Sequence, residues 1–431
     1  MQARALRWTG LASGIAANAG SLVGTTAVTS ALGYLFWVVA AHRFAAEDVG
    51  LAAAATSASL LLGTLGMMGF GTLLIGELPR QQGNEWSVIS AAFLVAAAAG
   101  GAFGLLFALL APLVSPNFQA LGASVAVVIL IAAGVSLTAA TLVLDQALIG
   151  LTRGDLQLGR NTIFAAAKLA ALILAAPLLA NKSWLVLYAT WIVGNLVSIA
   201  GLAGIVTRSG MHRRHYFPQW RLLRGMGGSA MSHHALNLAL QLPSAALPLL
   251  VTVILSAQTN AYLYTAWMVA GFVFVGPIAL ATALYASGRR DASLLSRRIR
   301  FTLALAMLTG LLANVALAVG AERVLALFGS SYAAQGAVAL RIFGLAVFPL
   351  IVKDHFVTVC RIQERIGRAS AIVAAGGMFE LVLAAFGASV GGLVGVSVGY
   401  AVALYVEGVL MSPTVLRAAV ASSLDGRAGA H

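Results

Sequence analysis

Long apolar runs alternate with short polar interruptions along almost the whole chain. Twelve runs approach or exceed the ~20 residues a helix needs to cross roughly 30 Å of hydrocarbon. They lie at residues 20–41, 50–76, 88–112, 121–150, 161–180, 184–206, 226–255, 260–286, 301–320, 334–358, 370–388 and 391–416. The pattern predicts twelve transmembrane helices. The second, fourth and seventh runs exceed a simple span and are expected to tilt, kink or extend beyond the bilayer.

The polar interruptions differ in charge. The longest, Thr207–Arg224, carries Arg208, Arg213, Arg214, Arg221 and Arg224 with no acidic residue. It separates residues 1–206, read as a first six-helix lobe, from 225–431, read as a second, with 207–224 as a basic cytoplasmic linker. Alternate interruptions, together with the two tails, hold 20 of the 26 Lys and Arg residues, whereas the other set holds only Arg43, Lys182 and Arg323. Basic loops stay on the cytoplasmic side, so twelve helices with both termini cytoplasmic satisfy the asymmetry. The N-terminal stretch, with Arg4, Arg7 and Ala17-Asn18-Ala19, has features of a cleaved signal peptide. Cleavage would turn every Arg-rich loop outward, so it is expected to stay.

Composition narrows the class further. The chain is 60% hydrophobic and 9% charged, against about 25% charged in a soluble domain. The net charge of +13 sits in loops between apolar runs, where it suits anionic lipid headgroups and not nucleic acid. The single cysteine, Cys360, rules out a disulfide framework. No phosphate-cradling loop, metal-ligand pair or nucleophile elbow is present, and the outside loops are too short for the catalytic loops of membrane glycosyltransferases. The expectation is a protein that is not an enzyme, with no cofactor and no bound metal.

The two halves show internal similarity. Leu151–Arg160 (LTRGDLQLGR) recurs as Val359–Arg368 (VCRIQERIGR), with Arg, Gly and Arg at one spacing. This supports a parallel repeat about an axis along the membrane normal, which would leave a central cavity between two bundles. Gly387, Gly391, Gly395 and Gly399 recur every fourth residue, a pattern for close helix packing. Pro243, Pro248, Pro277 and Pro349 fall inside second-half helices and remove backbone hydrogen bonds there, marking the second half as the one that bends.

Seven ionisable residues fall within the apolar runs: Asp145, Lys168, Arg341, Lys353, Asp354, Glu380 and Glu407. Each costs about 2.5–3.5 kcal/mol on insertion scales. Counting depth along the runs brings Asp145 level with Lys168, and Arg341 level with Glu380, each on consecutive helices. Two readings stand side by side: ion pairs that hold the bundle together, or groups lining a wet cavity. His233 and His234 are read as interfacial, Cys360 as buried, and Glu47 and Asp48 as solvated.

The stretch Ala31–Gly50 (ALGYLFWVVAAHRFAAEDVG) resembles the first helix and turn of Wzx-type polysaccharide flippases, within the multidrug/oligosaccharidyl-lipid/polysaccharide exporter superfamily. Ala261–Ala266 (AYLYTA) is similar to the matching turn of the second half, and Glu322–Tyr332 (ERVLALFGSSY) with Ala339-Leu340-Arg341 to the approach to helix ten. The resemblance implies an all-α membrane protein of two six-helix lobes around a central cavity. It implies alternating access for a lipid-linked, polyprenyl diphosphate oligosaccharide made in the bacterial cytoplasm, moved across the cytoplasmic (inner) membrane for cell-surface polysaccharide synthesis. A polysaccharide polymerase or other assembly protein is a candidate partner. Arg341, Lys168 and Lys353 are then candidates to offset the diphosphate. Glu380, Asp145, Asp354 and Glu407 are candidates to hold those cations or to carry a coupling proton. Trp37, Trp191, Trp267 and Tyr264 are candidates to stack on sugars. The first two helices hold no arginine before Arg43, unlike lipid II flippases, which argues against lipid II. A cation-coupled multidrug exporter of the same superfamily and a non-transporting scaffold of a glycan assembly complex remain the alternatives.

Overall fold

The structure, a computed structural model, describes residues 28–81, 83–178, 182–208, 217–218, 220, 228–288 and 295–420. Every long element among them is a helix. In chain order these are α1 (28–43), α2 (Ala46–Gly66), α3 (Phe70–Glu77), α4 (Glu85–Val114), α5 (Val125–Gly150), α6 (Gly154–Leu178) and α7 (Trp184–Arg208). There follow α8 (Gly228–Ile254), α9 (Ala257–Gly288), α10 (Leu295–Ala326), α11 (Ser330–Leu345), α12 (Val347–Ile362) and α13 (Ile366–Val420). α2 runs into α3 across a break at Met68 and Gly69, and α11 runs into α12 across Ala346. α13 is two arms joined at Gly391-Gly392. Among the described residues ten helices are long and apolar enough to cross a membrane, in an all-α membrane fold; with α13 counted as two arms and α1, described over residues 28–43, counted as a span, they match the twelve runs of the hydropathy pattern.

The chain divides into two compact units between Leu238 and Ala239, inside α8. Most of the basic segment 207–224, expected as a linker, lies outside the described residues. In the first unit α4 packs along α5, α6 along α7, and α2 lies against α4, α5 and α7. Every residue from Val49 to Ser59 of α2 is buried. Its Ala, Gly, Ser and Thr residues keep this stretch thin enough for three neighbours to pack closely around it. In the second unit α9 takes the corresponding place, packed against α10, α11 and α12.

The repeat seen in sequence is present in the backbone, at a different register. α5 ends with Thr152 in the left-handed region (φ 56°) and α12 with Glu364 likewise (φ 60°). In the first turn the amide of Thr152 donates to Ile149 O and that of Arg153 to Leu148 O; in the second, Glu364 donates to Arg361 O and Arg365 to Cys360 O. Both are the same C-terminal motif with six-to-one and five-to-two hydrogen bonds, formed without the usual glycine. The turns joining α1 to α2 and α8 to α9 also match: Phe44 donates to Ala40 O and Val49 to Ala45 O, as Leu255 does to Val251 O and Asn260 to Ser256 O. Thr152 therefore corresponds to Glu364, one helical turn beyond the pairing of Arg153 with Arg361 drawn from residue identities. In that register Lys168 corresponds to Glu380.

The glycine series near the C-terminus marks a helical hairpin. Gly392 takes φ 57°, ψ −139°, a conformation that L side chains rarely adopt, and the chain reverses there. The two arms then meet backbone to backbone, for a Cβ on Gly387 would collide with Gly395 O, one on Gly395 with Gly387 O, and one on Gly399 with Leu383 O. Gly395→Ala is therefore expected to destabilise the fold by at least the about 1–3 kcal/mol of an overpacked core, read as a lower thermal midpoint of the purified protein. A midpoint equal to that of the native chain would refute the backbone contact.

The break at Ala346 has a local cause. Pro349 carries no N–H, so it leaves the carbonyl of Leu345 without its helical donor. The Tyr405 hydroxyl of α13 donates to that carbonyl at 3.0 Å. A helix end opened by proline is thus closed by a side chain from a neighbouring helix.

Candidate functional site

The first unit holds an ammonium in an aromatic cage. Lys168, on α6, is buried at 4% exposure. Its Nζ lies 4.5 Å from the ring centroid of Phe36 on α1, 5.2 Å from that of Phe164 and 5.0 Å from that of Trp191 on α7. Phe164 is one helical turn before Lys168, so the ring and the ammonium share a face. Phe164 and Trp191 meet edge to face at 5.1 Å, and Trp191 Nε1 donates to Thr138 Oγ1 at 3.3 Å, which holds the wall still. Gly194 makes the approach of α7 to α6 possible, since a Cβ there would sit 2.9 Å from Phe164 O and 3.1 Å from Lys168 Cβ. Among the described residues no carboxylate pairs with Lys168.

The expected Asp145–Lys168 pair is therefore not formed. Arg160 takes Asp145, donating from Nε to Oδ1 at 2.8 Å and from Nη2 to Oδ2 at 2.7 Å, while Asn161 donates to Oδ1 at 3.1 Å. Arg160 Nη1 also donates to Ser198 Oγ at 3.3 Å. The reason is where α6 begins. Hydropathy started that helix at 161, but the polar stretch from Gly154 is already helical. Lys168 consequently lies ~21 Å along α6 from the turn, whereas Asp145 lies only ~8 Å from it along α5. Arg160, read as a loop residue, is the one that comes level with Asp145.

The second unit holds a buried charge cluster. Lys353 Nζ, on α12, lies 2.5 Å from Glu380 Oε1 and 2.8 Å from Glu407 Oε2, both on α13. Lys353, Glu380 and Glu407 are 4%, 1% and 4% exposed. The Tyr400 side chain hydrogen-bonds Glu380. Gly376 leaves room for the Glu407 carboxyl, as a Cβ there would be 2.5 Å from Oε2. Glu407 thus belongs to the packed interior and not to a helix end. Asp354, beside Lys353, is half-buried and faces a cavity of about 380 Å³ that Lys353 and Glu380 also line. Trp267, Phe274 and Tyr400 supply aromatic wall, with Trp267 packed edge-on against Phe343 and Tyr400 at 5.0 and 5.2 Å.

The expected Arg341–Glu380 pair is not formed either. Arg341 points to α10, donating from Nη2 to Glu322 Oε1 at 3.1 Å and from Nε to Ala318 O at 3.2 Å. Its side chain is 36% exposed. Equal depth did not bring Arg341 and Glu380 together because they lie on differently directed faces of their helices.

Asp48, read as solvated, accepts the backbone N–H of Trp184 at 2.8 Å and so caps the start of α7 from the first turn of α2. His234 is buried, Cys360 is buried, and the side chain of His233 lies outside the described residues. Trp37 packs into the core against Phe36. Sequence reasoning passed over His355, fully buried, with Nδ1 2.8 Å from Ile351 O and Nε2 3.1 Å from Thr302 Oγ1. It also passed over Tyr188, whose hydroxyl meets Ser59 Oγ at 2.7 Å over Gly134. Among the described residues no group of His, Cys, Asp and Glu is placed to hold a metal ion.

No protein-family model matches the chain, and no characterised protein matches it by sequence. Solved structures do match. An inward-facing multidrug resistance MATE family transporter of the MOP superfamily superposes with a TM-score of 0.70 at 13% identity, over 94% of this chain and 96% of that one. The lipid II flippase MurJ, in an inward closed conformation, gives 0.65 at 12% identity, over 93% and 90%. A MOP superfamily transporter from Pyrococcus furiosus, described as having a binding pocket of reversed polarity, gives 0.59 at 12% identity, over 94% and 96%. The chain therefore has the fold of these transporters, whose members carry twelve helices in two lobes.

Proposed function

We propose that this protein is a transporter of the bacterial cytoplasmic membrane that flips a lipid-linked, diphosphate-bearing oligosaccharide for cell-surface polysaccharide synthesis. The observation that carries the reading is the Lys168 cage. A buried ammonium costs several kcal/mol of desolvation, and each ring over it returns only about 0.5–2 kcal/mol. With no described carboxylate beside it, the site is under-neutralised and favours an anion. A diphosphate supplies that charge. In this reading Lys168 is the anion contact and Arg341 a peripheral one. Lys353, already held by two carboxylates, keeps the second unit together. Asp145 has its own cation in Arg160 and serves to brace α5 against α6.

One observation favours the second reading, a cation-coupled multidrug exporter: in the second unit three carboxylates, Glu380, Glu407 and Asp354, surround one lysine. Reconstitution separates the two. Proteoliposomes holding the full chain should accelerate translocation of a fluorescent polyprenyl diphosphate glycan. Movement of tetraphenylphosphonium in place of the glycan would decide for the exporter.

The proposal includes cytoplasmic termini, because the loop charges split as they do. Gln119, exposed between α4 and α5, should then lie outside, and Gln363, exposed between α12 and α13, inside. In a Cys360→Ala background, Gln119→Cys is expected to react with an impermeant maleimide on intact cells, and Gln363→Cys only after lysis. The reverse labelling would overturn the orientation.

A further inference from the structure

We infer that the cavity of the second unit is a carbohydrate subsite, receiving a neutral sugar ring of the transported glycan. The inference rests on the lipid-linked glycan reading and adds where the sugar is held. The cavity's about 380 Å³ falls in the range of about 300–1,000 Å³ typical of small-molecule sites, and it is large enough for a monosaccharide. Its walls are largely apolar, with Trp267, Phe274 and Tyr400 among them, while Lys353, Asp354 and Glu380 supply its charged groups. An acyl or isoprenyl chain would need a lining without those charges. An inorganic or drug cation would need acceptors only, yet an ammonium stands among them. A sugar ring has apolar C–H faces and a rim of hydroxyls that both donate and accept, which is the complement of this lining.

Asp354 adds a second observation from the same cavity. Lys353 and Glu380 are mutually bound, and Glu380 also holds Tyr400. Asp354 lines the same cavity and makes no hydrogen bond to any described residue. A carboxylate inside a membrane-spanning helix without a hydrogen-bond donor is a costly feature, even with the charges of Lys353 and Arg361 acting on it, and sugar hydroxyls would supply donors.

Gly271 provides the clean perturbation. It lines the cavity, and a Cβ added there would meet no atom within 4 Å. Gly271→Leu should thus fold normally and fill the space. The test is saturation-transfer NMR on the full chain in lipid nanodiscs, with free glucose, galactose, mannose and N-acetylglucosamine as probes. At least one sugar is expected to receive saturation from the protein. Gly271→Leu should abolish the signal, and Asp354→Asn should weaken the affinity tenfold or more, since it removes charge-assisted hydrogen bonds. Gly159→Leu, on α6 and equally open in its surroundings, should leave the signal unchanged. Absence of any sugar signal, or a signal that survives Gly271→Leu, overturns the subsite. If the glycan is nevertheless translocated, only the subsite has failed. A sugar signal abolished by Gly271→Leu without glycan translocation would support the subsite and sink the transport reading instead.

Discussion

Lys168→Met is expected to reduce export of the lipid-linked glycan tenfold or more, at an unchanged amount of membrane-inserted protein. A charge-assisted contact to a diphosphate contributes about 1.5–3 kcal/mol, and 1.4 kcal/mol is already a factor of ten. Folding should survive, because Lys168 is packed against rings and no described carboxylate is stranded by its loss. Methionine is of similar length, and its thioether is at home among aromatic side chains. Lys168→Arg should keep part of the activity, as guanidinium also lies well on aromatic faces, although the cage is shaped around a smaller head. The measurement is the rate of glycan translocation in proteoliposomes, divided by inserted protein. A native rate for Lys168→Met would remove the cage from the substrate path.

Lys353→Met should behave in the opposite way, and principally lose folded protein. It leaves Glu380 and Glu407, both at least nine-tenths buried, facing each other without the ammonium between them. Breaking a buried pair by removing one partner costs about 3–5 kcal/mol, and here two acids lose their partner together. The triple variant Lys353→Met, Glu380→Gln, Glu407→Gln should regain most of that loss, since no charge then remains to be compensated. Glu407→Gln alone should be mild, because Lys353 keeps Glu380 at 2.5 Å. Thermal midpoints of the detergent-solubilised protein report all three. A Lys353→Met variant as stable as the native chain, or a triple variant no better than the single one, would show that the cluster is not what holds α12 to α13.

These two lysines looked alike along the chain, each a cation in an apolar run. Their different surroundings were only partly legible. Phe164 at four residues before Lys168 is a spacing anyone can read, and it does place a ring beside the ammonium. Phe36 and Trp191 come from helices far away in sequence, and no local spacing announces them. The pairing of Asp145 with Arg160 was missed because the start of α6 was set by apolarity alone, which cut the helix's polar first turns into a loop. The repeat between the halves was recognised, but matching identical residues placed it one helical turn away from the register that the two backbone turns share.

Twelve crossings, the boundaries of most spans, the glycine-lined hairpin and the intramembrane charges all follow from the order of residues. Transfer of apolar surface from water to hydrocarbon adds up locally along a run of about 20 residues, so no knowledge of neighbours is needed. Orientation is read the same way, as a proposal from loop charges, because each loop contributes by itself. Partnership is different. Successive residues on a helix point about 100° apart, so two charges at one depth on adjacent helices can face each other or face away. Arg341 turned to α10 and Glu380 to Lys353, as the rotation and register of each helix were set by the packing of many small side chains at once. The cage around Lys168 and the cavity beside Asp354 exist only through that packing, since each is walled by residues from helices that the chain order leaves far apart.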